Sequence, residues 1–233
     1  MECLEGGIIL HPNWYYDLYD EIFGWSRDYP KEITMINDIV SLKNKIVEEI
    51  GAGTGRHTEQ ILKMNPLKVE AIDCDIQAID LLREKFKQVS NIQIIEGDGF
   101  IWGNTVDIII CLYSIFQQTE EETILKKRIE NLLNRIETYG CDIFVECIDT
   151  NKHKAQGFTL IYESGQDYLG IKSEKTDFGV KIVYQGYINN MDVIYEVPIC
   201  NCPLYLFEVN PNIKYEIIPL TQSGRKRILH LFK

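Results

Sequence analysis

The sequence predicts an α/β fold: a doubly wound, mostly parallel sheet of seven strands with an antiparallel β insertion and an N-terminal helical lid. Three observations predict it. Strand and helix signals alternate between Lys45 and Thr150. The fourth strand-like run, Val106 to Tyr113, is almost unbroken in apolar residues, as in strands covered by helices on both faces. The first run ends in a glycine cluster, at the sheet edge where such folds bind ligands.

Taken in order, Asn13 to Phe23 and about Pro30 to Leu42 read as two helices rich in Tyr and Trp. Ile46 to Ile50 is the first strand, and a short helix through Thr58–Leu62 is stopped by Asn65-Pro66. Val69 to Asp73 is the second strand. A helix follows from about Asp75, with Ile76, Ile79, Leu82 and Phe86 along one face. Asn91 to Glu96 and Val106 to Tyr113 are the third and fourth strands. Thr119 and Glu122 fit a capping box for the clearest helix. Its Ile124, Leu125, Ile129, Leu132, Leu133 and Ile136 recur at helical spacing before Gly140. Asp142 to Cys147 is the fifth strand.

From Phe158 the texture becomes short, aromatic and β-branched, in runs at 158–162, 179–184, 187–188 and 193–197, with Asn189-Asn190 as a turn signal. Residues 213–218 and 227–232 read as two last strands rejoining the main sheet. The expected organisation is one domain over 1–233. It comprises a lid at 1–44, a ligand-binding core at 45–153 and 209–233, and a β insertion at 154–208 for substrate or homodimer contact.

With 233 residues the chain can bury roughly 70–75% of its unfolded surface and needs no metal or disulfide staple. Thirty-five acidic against 24 basic residues give a formal charge of -11, which works against binding a phosphate backbone. The one compact basic patch, Arg225-Lys226-Arg227, reads as a solvated strand end. The first cationic side chain, histidines aside, is Arg27, and no apolar run approaches the roughly 18 residues of a membrane span. The seven cysteines are scattered; Cys74, Cys111 and Cys147 sit in or beside apolar runs, and Cys200-Asn201-Cys202 lacks the partners of a zinc site. A reducing cytoplasm is expected, with no metal.

The strongest signal is Glu48-Glu49-Ile50-Gly51-Ala52-Gly53-Thr54-Gly55. Glycines there let the backbone turn tightly after a strand and bring a ligand against the chain without a Cβ clash. The spacing is G-x-G-x-G, with Arg56 where a dinucleotide site would carry its third glycine or alanine. Asp73 closes the second strand about 20 residues on, where a carboxylate can bridge ribose hydroxyls.

V-E-E-I-G-A-G-T-G resembles motif I of the class I S-adenosylmethionine-dependent methyltransferases. A-I-D-C-D, I-I-E-G-D-G and V-D-I-I-I-C-L-Y-S resemble their next three motifs, in order over about 46–150. The resemblance implies a Rossmann-like methyltransferase fold with S-adenosylmethionine as cofactor and S-adenosylhomocysteine as product. It implies a cradle of Gly51, Ala52, Gly53 and Gly55, with Glu49 beneath the methionine amino group and Asp73 at the ribose. Asp98 and the Gly99 backbone would meet the adenine, Tyr113 and Ser114 the pocket mouth, and the motif residues Cys74 and Cys111 belong to the same site.

A closer resemblance is to small-molecule N-methyltransferases that dimethylate amino sugars. It rests on Tyr16-Asp17-Leu18-Tyr19, Asp28-Tyr29, Val145-Glu146, the insertion, and Ser223-Gly224-Arg225. Cys147 and Ile148 replace the proline and tryptophan expected after Glu146, and 198–212 lacks the usual long helix. The resemblance implies that Tyr16, Tyr19 and Tyr29 form a lid over the methionine end.

The expected reaction is methyl transfer to an amine nitrogen of a small molecule such as an amino sugar, with Glu146, Asp149 and His153 as candidate bases and Tyr113 lining the path. The acidic charge and aromatic insertion point to a polar, even cationic, acceptor. The rivals are O-methylation and a non-catalytic S-adenosylmethionine-binding protein. An amino-directed nucleic-acid enzyme would carry D/N-P-P-Y/F/W where this chain reads Cys111-Leu112-Tyr113-Ser114.

Overall fold

The computed structural model describes residues 11–24, 27–101, 103–221 and 225–233. Two helices come first, α1 (Asn13–Phe23) and α2 (Tyr29–Ile39). The core then alternates β1 (Ile46–Ile50), α3 (Arg56–Lys63), β2 (Lys68–Asp73), α4 (Ile76–Lys85), β3 (Ile92–Glu96), β4 (Ile108–Cys111), α5 (Glu122–Tyr139) and β5 (Asp142–Ile148). An insertion of four strands follows: β6 (Gln156–Ser164), β7 (Asp167–Thr176), β8 (Gly179–Ile188) and β9 (Met191–Cys200). The chain closes with β10 (Lys214–Pro219) and β11 (Lys226–Phe232).

The main sheet has seven strands in the order β10-β11-β5-β4-β1-β2-β3. β1 to β5 pair in parallel, and β11 enters antiparallel beside β5 with Leu229 opposite Val145. β1 and β4 are neighbours on one side, β1 and β2 on the other, so the strand order reverses at β1. Ligands in open α/β sheets bind beyond the carboxyl ends of the strands at such a switch point. Ile108, Ile109 and Ile110 of β4 are fully buried, as expected for a strand covered on both faces. The alternation of side chains along β1 separates its two carboxylates. Glu48 accepts from Arg135 of α5 at 2.5 and 2.9 Å, while Glu49 accepts from the Thr58 hydroxyl of α3 at 2.5 Å.

Several boundaries differ from expectation. Thr119 does not cap α5. The helix begins three residues later at Glu122, and the Thr119 hydroxyl accepts from the Glu121 N–H at 3.1 Å. β4 is shorter than its apolar run: Val106 packs in the core before the strand begins, and Tyr113 and Ser114 form a turn after it. Ile76 faces solvent, while Ile79, Leu82 and Phe86 are buried as expected, together with Ala78. The insertion holds one strand, β7, that its mixed composition hid, and 179–188 is a single strand. The Asn189-Asn190 turn is present, both residues taking positive φ of 51° and 63° between β8 and β9. That geometry suits a two-residue hairpin.

The insertion sheet, ordered β6-β7-β8-β9, packs one face on α1. Tyr15, Tyr16 and Phe23 of α1 share an apolar cluster with Tyr184, Val197 and Ile199. Lid helix and insertion together roof the carboxyl ends of β1, β4 and β5. No helix among the described residues is long and apolar enough to cross a membrane.

Candidate active site

The glycine loop forms because its φ angles require it. Gly51 and Gly53 take φ of 75° and 54°. A Cβ on Gly51 would stand 2.8 Å from Ile115, whereas one on Gly53 would meet nothing within 4 Å. Gly53 therefore faces open space at the carboxyl end of β1, and its N–H is held by the Asp73 carboxylate at 2.8 Å. The second Asp73 oxygen accepts from the Asp75 N–H at 2.9 Å, while Asp75 itself caps α4 through the Gln77 N–H at 3.0 Å. Burial raises the Asp73 carboxyl to about 6 and the Glu49 carboxyl to about 8.

Two adjoining hollows flank this loop. Gly51, Asp73, Cys74, Asp98, Gly99, Phe100 and Arg128 line one, and Tyr16, Tyr19, Tyr29, Glu49, Gly51, Ala52, Gly53, His57 and Tyr113 line the other. The first carries an orphan: the Asp98 Oδ2 is buried with no hydrogen-bond partner, although Oδ1 accepts from the Phe100 N–H at 2.9 Å. A buried carboxylate oxygen left unpaired is costly unless a ligand supplies a donor. An adenine amino group is such a donor. The ribose hydroxyls would meet Asp73, and a methionine ammonium would meet Glu49 and stabilise its ionised form, which burial alone disfavours. The residues present fit S-adenosylmethionine.

Beyond Tyr113 lies a larger cavity of about 320 Å³, walled by α1, the end of β5 and the inner face of the insertion sheet. Glu146, His153, Arg27, Tyr184, Arg225 and Lys226 line it. Tyr113 and Ser114 turn the chain there in the left-handed region, at φ of 63° and 56°. Non-glycine residues hold that conformation at a cost, and such strain clusters at functional sites. The turn is fixed by Glu146, which accepts from the Tyr113 N–H at 2.7 Å and from Arg27 at 2.6 Å. Arg27 also pairs with Glu32 of α2 at 2.6 Å, and Glu32 meets His57 of α3 at 2.9 Å. The Arg27 guanidinium lies 4.9 Å from the Tyr113 ring centroid. His153 bonds Ser173 of β7 at 2.7 Å, and burial, with Arg225 and Lys175 nearby, lowers its pKa.

Most of the expected site residues meet at these hollows. Cys111 does not: it is fully buried in the apolar core beneath β4. Gly55 lines neither hollow and instead starts α3 against Leu82 and Phe86. Ser114 is buried, with an unpaired hydroxyl, behind the pocket mouth. Asp149 caps the 3₁₀ turn Thr150–Lys152 and is no part of the cavity wall. Ser223 and Gly224 lie outside the described residues, as do residues 1–10. Arg225-Lys226 is not a solvated strand end, because β11 is inserted beside β5 and carries both residues to the cavity. Arg27 and Glu32 carried no sequence signal beyond their charge; only folding of α2 over β5 brings them to Glu146.

Residues 47–136 match the family model described as "Methyltransferase domain". Among solved structures, the amino pentose methyltransferase CalS10 from Micromonospora echinaspora is 14% identical, with a TM-score of 0.72 over 96% of this chain and 100% of that one. The CcbJ methyltransferase from Streptomyces caelestis is likewise 14% identical, at a TM-score of 0.75 over 94% and 95%. A curated relative, "Ribosomal RNA small subunit methyltransferase A" of a Sulfurihydrogenibium species, is 41% identical over 66 residues. That stretch is 28% of this chain and 26% of the relative, so the chain spans about a quarter of the relative it matches. Residues 47–136 thus match a methyltransferase domain, and the whole described chain shares the fold of these solved methyltransferases.

Proposed function

We propose that this protein transfers a methyl group from S-adenosylmethionine to an amine nitrogen of a small molecule, an amino sugar or a related metabolite. The observation that carries the reading is the cavity of about 320 Å³ that meets the cofactor hollows at Tyr113. Its size suits one small molecule, whose amine would enter between Tyr113 and Glu146. The net charge of -11 and the roofed site favour such an acceptor over a nucleic-acid strand. The cationic acceptor expected from composition is disfavoured, because the cavity wall carries four basic side chains and one carboxylate.

When bound, S-adenosylmethionine supplies an electrophilic methyl group on its sulfonium. The chain's own residues do the rest. Gly51, Gly53, Asp73 and Asp98 hold the cofactor, and Tyr16, Tyr19 and Tyr29 exclude water from the methionine end. Tyr113 lines the passage and aligns the incoming amine. Glu146 is engaged by Arg27 and the Tyr113 N–H, so it acts by shaping that passage. His153, with its lowered pKa, is neutral near pH 7 and is the better-placed acceptor for the proton the amine must lose.

Calorimetric titration with S-adenosylhomocysteine, with NAD as control, on wild type and Asp73→Ala tests the cofactor assignment. Micromolar binding, weakened at least tenfold in the variant, is expected. A folded protein that binds neither S-adenosylmethionine nor S-adenosylhomocysteine overturns the reading. Turnover of small amines in preference to alcohols then tests the acceptor class.

A further inference from the structure

The cavity beyond Tyr113 has a charge balance opposite to that of the whole chain. Arg27, Lys172, Arg225 and Lys226 line it, against Glu146 alone. Arg27 and Glu146 satisfy one another at 2.6 Å, and Lys172 reaches out of the cavity to Glu174 at 2.8 Å. Lys226 is different. It is partly buried, and no ion pair or hydrogen bond reaches its ammonium among the described residues, in a protein with 35 carboxylate side chains. Burial lowers its pKa, with Glu146 and Glu32 opposing and Arg27 and Arg225 reinforcing the shift.

A partly buried ammonium that no carboxylate contacts directly is less favourable than a paired one, and among the described residues Glu146 and Glu32 act on it only at a distance. We propose that the acceptor supplies the direct partner: the acceptor carries an oxyanion, carboxylate or phosphoryl, that seats against Lys226 while its amine faces Tyr113. This rests on the reading of the protein as a small-molecule N-methyltransferase. The register gives the spacing. Ile228 stands opposite Glu146, and Lys226 is two residues further along the same face of β11, roughly 7 Å away along the strand. Amine and oxyanion therefore lie a few bonds apart on one small molecule. A charge-assisted hydrogen bond would fix its register in the cavity. The same cationic wall disfavours an ammonium and favours the neutral amine, which is the form that attacks a methyl group.

The test titrates the S-adenosylhomocysteine-saturated protein with inorganic phosphate and, separately, with acetate, at constant ionic strength. Wild type, Lys226→Met, Lys226→Arg and Lys172→Met are compared. One anion is expected to bind wild type, to weaken at least tenfold in Lys226→Met, and to be retained in Lys226→Arg and Lys172→Met. Tighter phosphate binding assigns a phosphoryl group, and tighter acetate binding a carboxylate. Absence of anion binding to wild type, or equal binding by Lys226→Met, overturns the proposal. If Lys226→Met does not fold, the anion-induced shift of the Lys226 side-chain NMR signal, identified by its loss in Lys226→Arg, decides the matter. Failure of S-adenosylhomocysteine to bind would refute the methyltransferase reading separately, and the same titrations on the cofactor-free protein still test Lys226.

Discussion

Arg27 and Glu146 are 119 residues apart in sequence and 2.6 Å apart in the fold, with side chains only 5% and 1% exposed. Their ion pair ties the segment between the two lid helices to the end of β5. Because Glu146 also holds the Tyr113 N–H, the lid and the strained turn at the pocket mouth share one carboxylate.

Arg27→Met should therefore destabilise the protein by about 3–5 kcal/mol, because it strands two buried carboxylates, Glu146 and Glu32. Urea denaturation reads the loss. Glu146→Gln should cost less, since an amide still accepts from Tyr113. Equal midpoints for wild type and Arg27→Met would mean the pair is not formed in solution.

Glu49 makes the stability of the ligand-free protein depend on pH. Its carboxyl is raised from 4.5 to about 8, so the folded state keeps a proton that the unfolded chain gives up. The stabilisation is full below 4.5 and is lost as pH rises through about 8. Melting temperature should fall across that window, with a smaller parallel contribution from Asp73, and the slope should flatten in Glu49→Gln. If the ammonium of S-adenosylhomocysteine pairs with Glu49, its affinity should rise between pH 6 and 8 in wild type only. Calorimetry at those two pH values checks it.

The two loop glycines should respond differently to alanine. Gly53→Ala pays only for a left-handed backbone, about 1–2 kcal/mol, because its Cβ would meet open space. Gly51→Ala adds a contact of 2.8 Å with Ile115 and should cost more. Gly53→Ala should lose cofactor affinity out of proportion to its stability, since its Cβ enters the cradle. Paired denaturation and titration measurements separate the two effects.

His153→Gln should slow turnover at neutral pH while leaving S-adenosylhomocysteine affinity within about twofold, because His153 lines the acceptor cavity and neither cofactor hollow. Matched loss of both would point to a folding defect instead.

Much of this was legible from local chemistry. The nearly unbroken apolar run of β4 announced a buried parallel strand, and the glycine cluster announced the turn after β1 that Asp73 holds. Helix α1 has the bounds its Tyr- and Trp-rich segment led one to expect, Asn13 to Phe23. The cap of α5 was misplaced because a Thr and a Glu three residues apart satisfy the capping pattern whether or not the helix starts there. Strand β7 was missed because its Lys172, Glu174 and Lys175 interrupt the apolar signal on a sheet with one solvated face.

The sequence by itself determined the fold class and the glycine turn after β1, because both depend on short-range patterns: side-chain periodicity and glycines with positive φ. The cavity beyond Tyr113 was decided only by tertiary structure. Its wall joins Arg27, Glu146, His153 and Lys226, which are brought together by the lid, by β5 and by the antiparallel entry of β11. Partners so far apart in sequence leave no spacing to read. A basic triplet that composition placed in water became a cavity wall because β11 pairs with β5, and that pairing sets which charges a substrate meets.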